Sequence, residues 1–227
     1  VNAVAVRADG RRAISAASDN TLILWDLETG QSRRTFTGHR DRITAVAMLP
    51  DGKHALSGSD DKTLRLWDLE TGALLHTFVG HGNAISALAV LADGRSAISA
   101  ASDRTLKLWS ISTALVPSWP PGVTRRDFAA HTDTVTALAE LPDGHRVLSA
   151  SWDNTLKLWD RETGETLRTL DMEEMETDVL FRVARARQRR AAAGRGGTLT
   201  VGGGDMPARR RDCMMSSQKA PATGRRT

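Results

Sequence analysis

The chain has 227 residues, 40% of them apolar, enough for one or two ordinary domains, and its single cysteine, Cys213, excludes an intrachain disulfide. Its formal charge of +4 is uneven: residues 1–170 carry 19 basic and 20 acidic side chains, whereas residues 179–227 carry 12 and 2. Nothing basic therefore recommends the first 170 residues as a nucleic-acid platform, and no apolar run approaches the ~18 residues of a membrane span.

Residues 1–6 (VNAVAV) open the chain on an alternating apolar run without Met, so the chain is expected to be a fragment of a longer protein. The same run returns at 43–48 (ITAVAM), 85–90 (ISALAV) and 135–140 (VTALAE), and each predicts a strand with small Ala on one face. An Asp-Gly turn follows each run, at Asp9-Gly10, Asp51-Gly52, Asp93-Gly94 and Asp143-Gly144. A second strand then ends in an Asp-x-Thr turn beginning at Asp19, Asp61, Asp103 or Asp153. A third strand runs to Trp25, Trp67, Trp109 or Trp159, always with Leu immediately before the Trp. It leaves through LETG (27–30, 69–72) or RETG (161–164) toward an outer fourth strand at 33–36, 74–78, 125–128 or 166–170. After Trp109 the turn expands into 112–124 (STALVPSWPPGVT), read as a projecting loop because its three prolines cannot continue a strand.

The register is tight. The four tryptophans are 42, 42 and 50 residues apart. His39, His81 and His131 each precede a Ser by 18 (Ser57, Ser99, Ser149) and an Asp by 22 (Asp61, Asp103, Asp153), and that Asp precedes the Trp by 6. The first unit has Ser15, Asp19 and Trp25 without a His. Repeats of this length are small sheets that bury their faces only by stacking on neighbours.

On these residues, GH, PDG, SxSxDxT and LWD in fixed order, the chain resembles the WD-repeat β-propeller family. The resemblance implies an all-β fold of four four-stranded antiparallel blades, at about 1–36, 37–78, 79–128 and 129–170, within a larger ring of about seven blades. Residues 171–227 would be an eroded fifth blade, with echoes at 177–184, 189–194 and 197–201, or a disordered basic tail.

Ser, His and Asp together suggest a hydrolytic triad. An active site is needed once, however, and this set occurs in every complete unit with Trp as its fourth member. The reading preferred is a buried relay in which indole N–H donates to Ser, Ser to His and His to Asp. In the resembled family these positions form a structural tetrad, which gives His39, Ser57, Asp61 and Trp67; His81, Ser99, Asp103 and Trp109; His131, Ser149, Asp153 and Trp159; and the partial set Ser15, Asp19 and Trp25. No catalytic residue, cofactor or metal site is expected, since the six His have no Cys partner nearby and no Gly-rich loop opens a helix.

Binding is the remaining use of such a scaffold. The resembled family commonly receives partners on the face bearing the Gly-His loops and Asp-x-Thr turns. There the candidate contact residues are Arg40, Arg42, Asp60, Asn83, Ser102, Thr134 and Trp152, with Trp119 of the expanded loop as a second aromatic. Trp152 stands out because Ser18, Asp60 and Ser102 occupy its place elsewhere, and an exposed Trp is an interface anchor. The expected function is a non-catalytic scaffold for a protein or peptide partner, in the cytoplasm, with further blades or self-association completing the ring. Two alternatives are a sensor propeller of a larger signalling enzyme and weak, nonspecific nucleic-acid binding through the tail's arginines (185–190, 209–211).

Overall fold

The computed structural model describes residues 1–111 and 124–172, and every regular element among them is a β-strand. The first sheet is β1 (Ala3–Val6), β2 (Arg12–Ala16), β3 (Leu22–Asp26) and β4 (Ser32–Phe36). The second is β5 (Ile43–Met48), β6 (His54–Ser59), β7 (Thr63–Asp68) and β8 (Leu74–Val79). The third is β9 (Ile85–Val90), β10 (Ser96–Ala101), β11 (Thr105–Ser110) and β12 (Thr124–Ala129). The fourth is β13 (Val135–Glu140), β14 (Arg146–Ser151), β15 (Thr155–Asp160) and β16 (Thr166–Asp171). Each sheet is an antiparallel meander in chain order. The expanded loop with Trp119, and the eroded blade or tail after residue 172, lie outside the described residues.

Short-range chemistry sets the meander. In each Asp-x-Thr turn the Asp carboxylate accepts from the Thr backbone N–H, so the middle residue can take the left-handed conformation, at φ 67° for Asn20, 70° for Lys62, 69° for Arg104 and 63° for Asn154. At the other end, the Asp after each Trp closes the ETG turn. Asp68 Oδ1 accepts from the Glu70 and Thr71 amides, both at 2.8 Å, and Asp26 and Asp160 do the same. Gly72 completes that turn at φ 82°. In the third sheet Ser110 replaces this Asp.

The core lies between sheets rather than within them. Ile14, Leu22, Leu24 and Phe36 of the first sheet pack with Ile43, Val46, Met48 and Trp67 of the second. The opposite face of the second sheet packs on the third, and the third on the fourth, in the same manner. Alternation sends successive side chains of one strand into two different cores. The innermost strands β1, β5, β9 and β13 lie side by side, where Ala3, Ala45, Ala87 and their neighbours allow close approach. Long side chains reach across the outer edge: Arg34 donates to the carbonyls of Thr71 and Glu70, both at 2.9 Å, and Arg126 to that of Thr163. The four sheets do not close into a ring. Val4 and Val6 on the first sheet, each 52% exposed, and Leu170 on the fourth, 40% exposed, stand where inner sheets have a neighbour.

Candidate functional site

The recurring Ser, His, Asp and Trp meet in one chain of hydrogen bonds per sheet. In the second sheet Trp67 Nε1 donates to Ser57 Oγ at 2.8 Å, Ser57 Oγ lies 2.7 Å from His39 Nε2, and His39 Nδ1 lies 2.8 Å from Asp61 Oδ2. Trp109, Ser99, His81 and Asp103 repeat this at 2.7, 2.7 and 2.8 Å. Trp159, Ser149, His131 and Asp153 follow at 2.8, 2.7 and 2.9 Å. In the first sheet Trp25 Nε1 donates to Ser15 Oγ at 2.8 Å, and Asp19 holds only its own turn through Thr21.

The directions follow from charge. Burial pushes all three imidazoles below the ordinary histidine range, only partly opposed by the facing Asp, so they are neutral at pH 7. A neutral ring has one N–H, which the carboxylate takes at Nδ1, leaving Nε2 to accept from the Ser hydroxyl. The carboxylates stay ionised. Burial pushes Asp61 up, but hydrogen bonds from Thr63, the Arg40 amide and His39 overcome it and hold Asp61 at about 2. Asp103 and Asp153 are also held low, with burial opposed chiefly by Thr105 and Thr155. Ser57 and Ser99 are fully buried, and Ser149 nearly so, so no substrate carbonyl has a path to their hydroxyls.

A second repeated device was not anticipated from sequence. The polar residue near the start of each inner strand donates to the carbonyl at the corresponding point of the next sheet. Asn2 Nδ2 reaches Ile43 O at 2.9 Å, Thr44 Oγ1 reaches Ile85 O at 2.5 Å, and Ser86 Oγ reaches Val135 O. Thr136, next in the series, has no described sheet after its own and keeps only the own-sheet bond, to Ala150 O at 3.3 Å, the counterpart of Thr44 to Gly58 O at 3.1 Å. The signal was present in the aligned runs, where Asn2, Thr44, Ser86 and Thr136 share a column.

Above this ladder lies a groove with a cavity volume of about 160 Å³. Its rim consists of corresponding backbone-bonded pairs from three successive sheets. Asp60 N donates to Arg42 O, Ser102 N to Ala84 O and Trp152 N to Thr134 O. The first pair is also joined by an ion pair between Arg42 Nε and Asp60 Oδ2. The middle pair is small, so open space separates the ion pair from Trp152, which is 47% exposed. Arg42, Asp60, Ser102, Thr134 and Trp152 thus share one groove with Thr44, Ala84, Ile85, Ser86 and Thr136. Arg40 and Asn83 sit on neighbouring loops but do not line it, and Trp119 lies outside the described residues. Among the described residues no group of three or more His, Cys, Asp or Glu could hold a metal, and no helix is long and apolar enough to cross a membrane.

The profile of the family described as WD domain, G-beta repeat (WD40) matches residues 1–26, 30–68, 72–110 and 122–160, together more than half of the chain. The chain belongs to the WD40 family. Repeats of this family generally mediate protein–protein interaction and are typically non-catalytic. Among curated proteins, the chain is 43% identical over 42 residues to Autophagy-related protein 16 of Arabidopsis thaliana. That match covers 18% of this WD40 chain and 8% of that protein, a length comparable to a single repeat.

Proposed function

We propose that the protein is a non-catalytic scaffold whose groove-bearing face receives a protein or peptide partner. The single observation carrying this reading is the division of labour among side chains. The Ser, His, Asp and Trp that resemble catalytic groups satisfy one another in three sheets, with the serines buried. Those free to differ between sheets at corresponding positions, Asp60, Ser102 and Trp152, line one groove. An exposed Trp between polar groups is the kind of side chain that dominates interface energetics. On this reading the tetrads are architecture and the loop tips do the recognition.

The test is capture of partners from lysate by the wild-type chain and by Trp152→Ala and Arg42→Ala variants. Loss of captured proteins with unchanged folding supports the reading. Retention of every partner by both variants moves the site elsewhere.

A further inference from the structure

The groove's shape and charge narrow the chemistry of its occupant. At about 160 Å³ it is smaller than the ~300–1,000 Å³ of small-molecule and cofactor sites and suits a single inserted side chain. The loops on this face, residues 17–20, 38–42, 59–62, 80–84, 101–104, 130–134 and 151–154, carry seven carboxylates (Asp19, Asp41, Asp60, Asp61, Asp103, Asp133, Asp153) and four cations (Arg40, Arg42, Lys62, Arg104). The three histidines there are neutral. The loops of this face therefore bear a net charge of −3, while the charged side chains lining the groove itself are the paired Arg42 and Asp60. Around Trp152 the fourth sheet's loops contribute Asp133 and Asp153 and no cation.

We propose that the groove takes the cationic side chain of a protein partner, an arginine or lysine, lying on the Trp152 ring with its charge directed toward the Asp60 carboxylate. This rests on the reading that this face receives partners. Three features support it. Trp presents the best aromatic face for a cation. Arg42 Nε engages Asp60 Oδ2, and Oδ1 accepts no hydrogen bond among the described residues, so a second donor can be added without displacing Arg42. The hydroxyls of Thr44 and Ser86 already donate to backbone carbonyls, so they offer the groove only acceptor lone pairs, which suit a donor-rich guanidinium or ammonium.

The experiment is fluorescence anisotropy on the full chain with labelled Gly-Gly-Xaa-Gly-Gly peptides, where Xaa is arginine, lysine, citrulline or glutamate. Arginine and lysine peptides are expected to bind at least tenfold more tightly than citrulline and glutamate peptides and to weaken with added salt. Trp152→Ala and Asp60→Asn should each weaken the arginine peptide tenfold or more, and Trp152→Phe should restore much of the loss. Equal binding of citrulline, tighter binding of glutamate, insensitivity to both substitutions, or no binding by any peptide at millimolar concentration overturns the proposal. Glutamate binding that Trp152→Ala abolishes would sink the cationic occupant and leave the partner-binding face standing. Lysate partners that survive both Trp152→Ala and Arg42→Ala would instead sink the face itself.

Discussion

Phe36, at the end of β4, meets the Trp67 indole of the next sheet edge-on, with ring centroids 5.8 Å apart and planes at 66°. Phe78 meets Trp109, and Phe128 meets Trp159, in the same way at 5.7 and 6.0 Å. Each pair joins two sheets, and each indole in it is also the donor to its own sheet's Ser. Phe78→Ala should cost about 3–5 kcal/mol by removing a buried ring and leaving a void against Trp109. Phe78→Leu should cost far less, since it keeps a large apolar side chain in the space against Trp109. Urea denaturation followed by circular dichroism distinguishes the two.

Ser99 accepts from Trp109 and bonds His81, and all three are buried. Ser99→Ala leaves an indole N–H and an imidazole nitrogen without a partner away from water, at a cost of about 1–3 kcal/mol. Ser15→Ala should cost less, because Ser15 serves only Trp25, which is partly exposed and can find water. Equal losses for the two in denaturant titrations would contradict the account of the relay.

Thr44 and Thr136 occupy the same column, yet only Thr44 bonds the following sheet. Thr44→Val keeps the shape and removes that hydrogen bond, with an expected loss of about 0.5–1.5 kcal/mol. Thr136→Val should be closer to neutral. Comparing the unfolding midpoints of the two variants with wild type tests the ladder.

Acid should destabilise the fold in two stages. The folded pKa values of His39, His81 and His131 lie below 6.5, so the unfolded chain binds these protons more readily. Their contribution is fully present above pH 6.5 and is lost as pH falls through their folded values. Asp61, held at about 2 against an ordinary 3.8, adds a second loss with the same sign as pH falls below about 4. The urea midpoint should be level between pH 7 and 8, decline below 6.5 and decline further below 4. A midpoint that rises on acidification to pH 5.5 contradicts the neutral, buried imidazoles.

The sheets were legible because their signals are local. Asp-Gly turns, Asp-x-Thr turns and period-two alternation all act within a few residues, and the fixed intervals from His39 to Ser57, Asp61 and Trp67 placed four distant groups in one register. Contacts between sheets were less legible. The Asn2, Thr44 and Ser86 column reads in sequence as the polar phase of an alternating strand, and only the neighbouring sheet supplies its acceptor. Arg34 spans to Thr71 through a long side chain that no spacing rule predicts. The groove depends on an absence of bulk, since Ala84 and Ser102 leave the room that Trp152 and the Arg42–Asp60 pair enclose. Arg40 and Asn83, equally polar and close in sequence to groove residues, fall outside it.

The most direct test is hydrogen exchange of the indole N–H groups, observed by NMR with and without a captured partner. The account predicts that Trp67, Trp109 and Trp159, buried and bonded to Ser57, Ser99 and Ser149, exchange only when the protein unfolds. Trp152 should exchange rapidly in the free chain and be the indole whose signal the partner shifts. Rapid exchange at Trp67, Trp109 and Trp159, or a Trp152 signal indifferent to every bound partner, would contradict the assignment of the repeated residues to architecture and the loop tips to recognition.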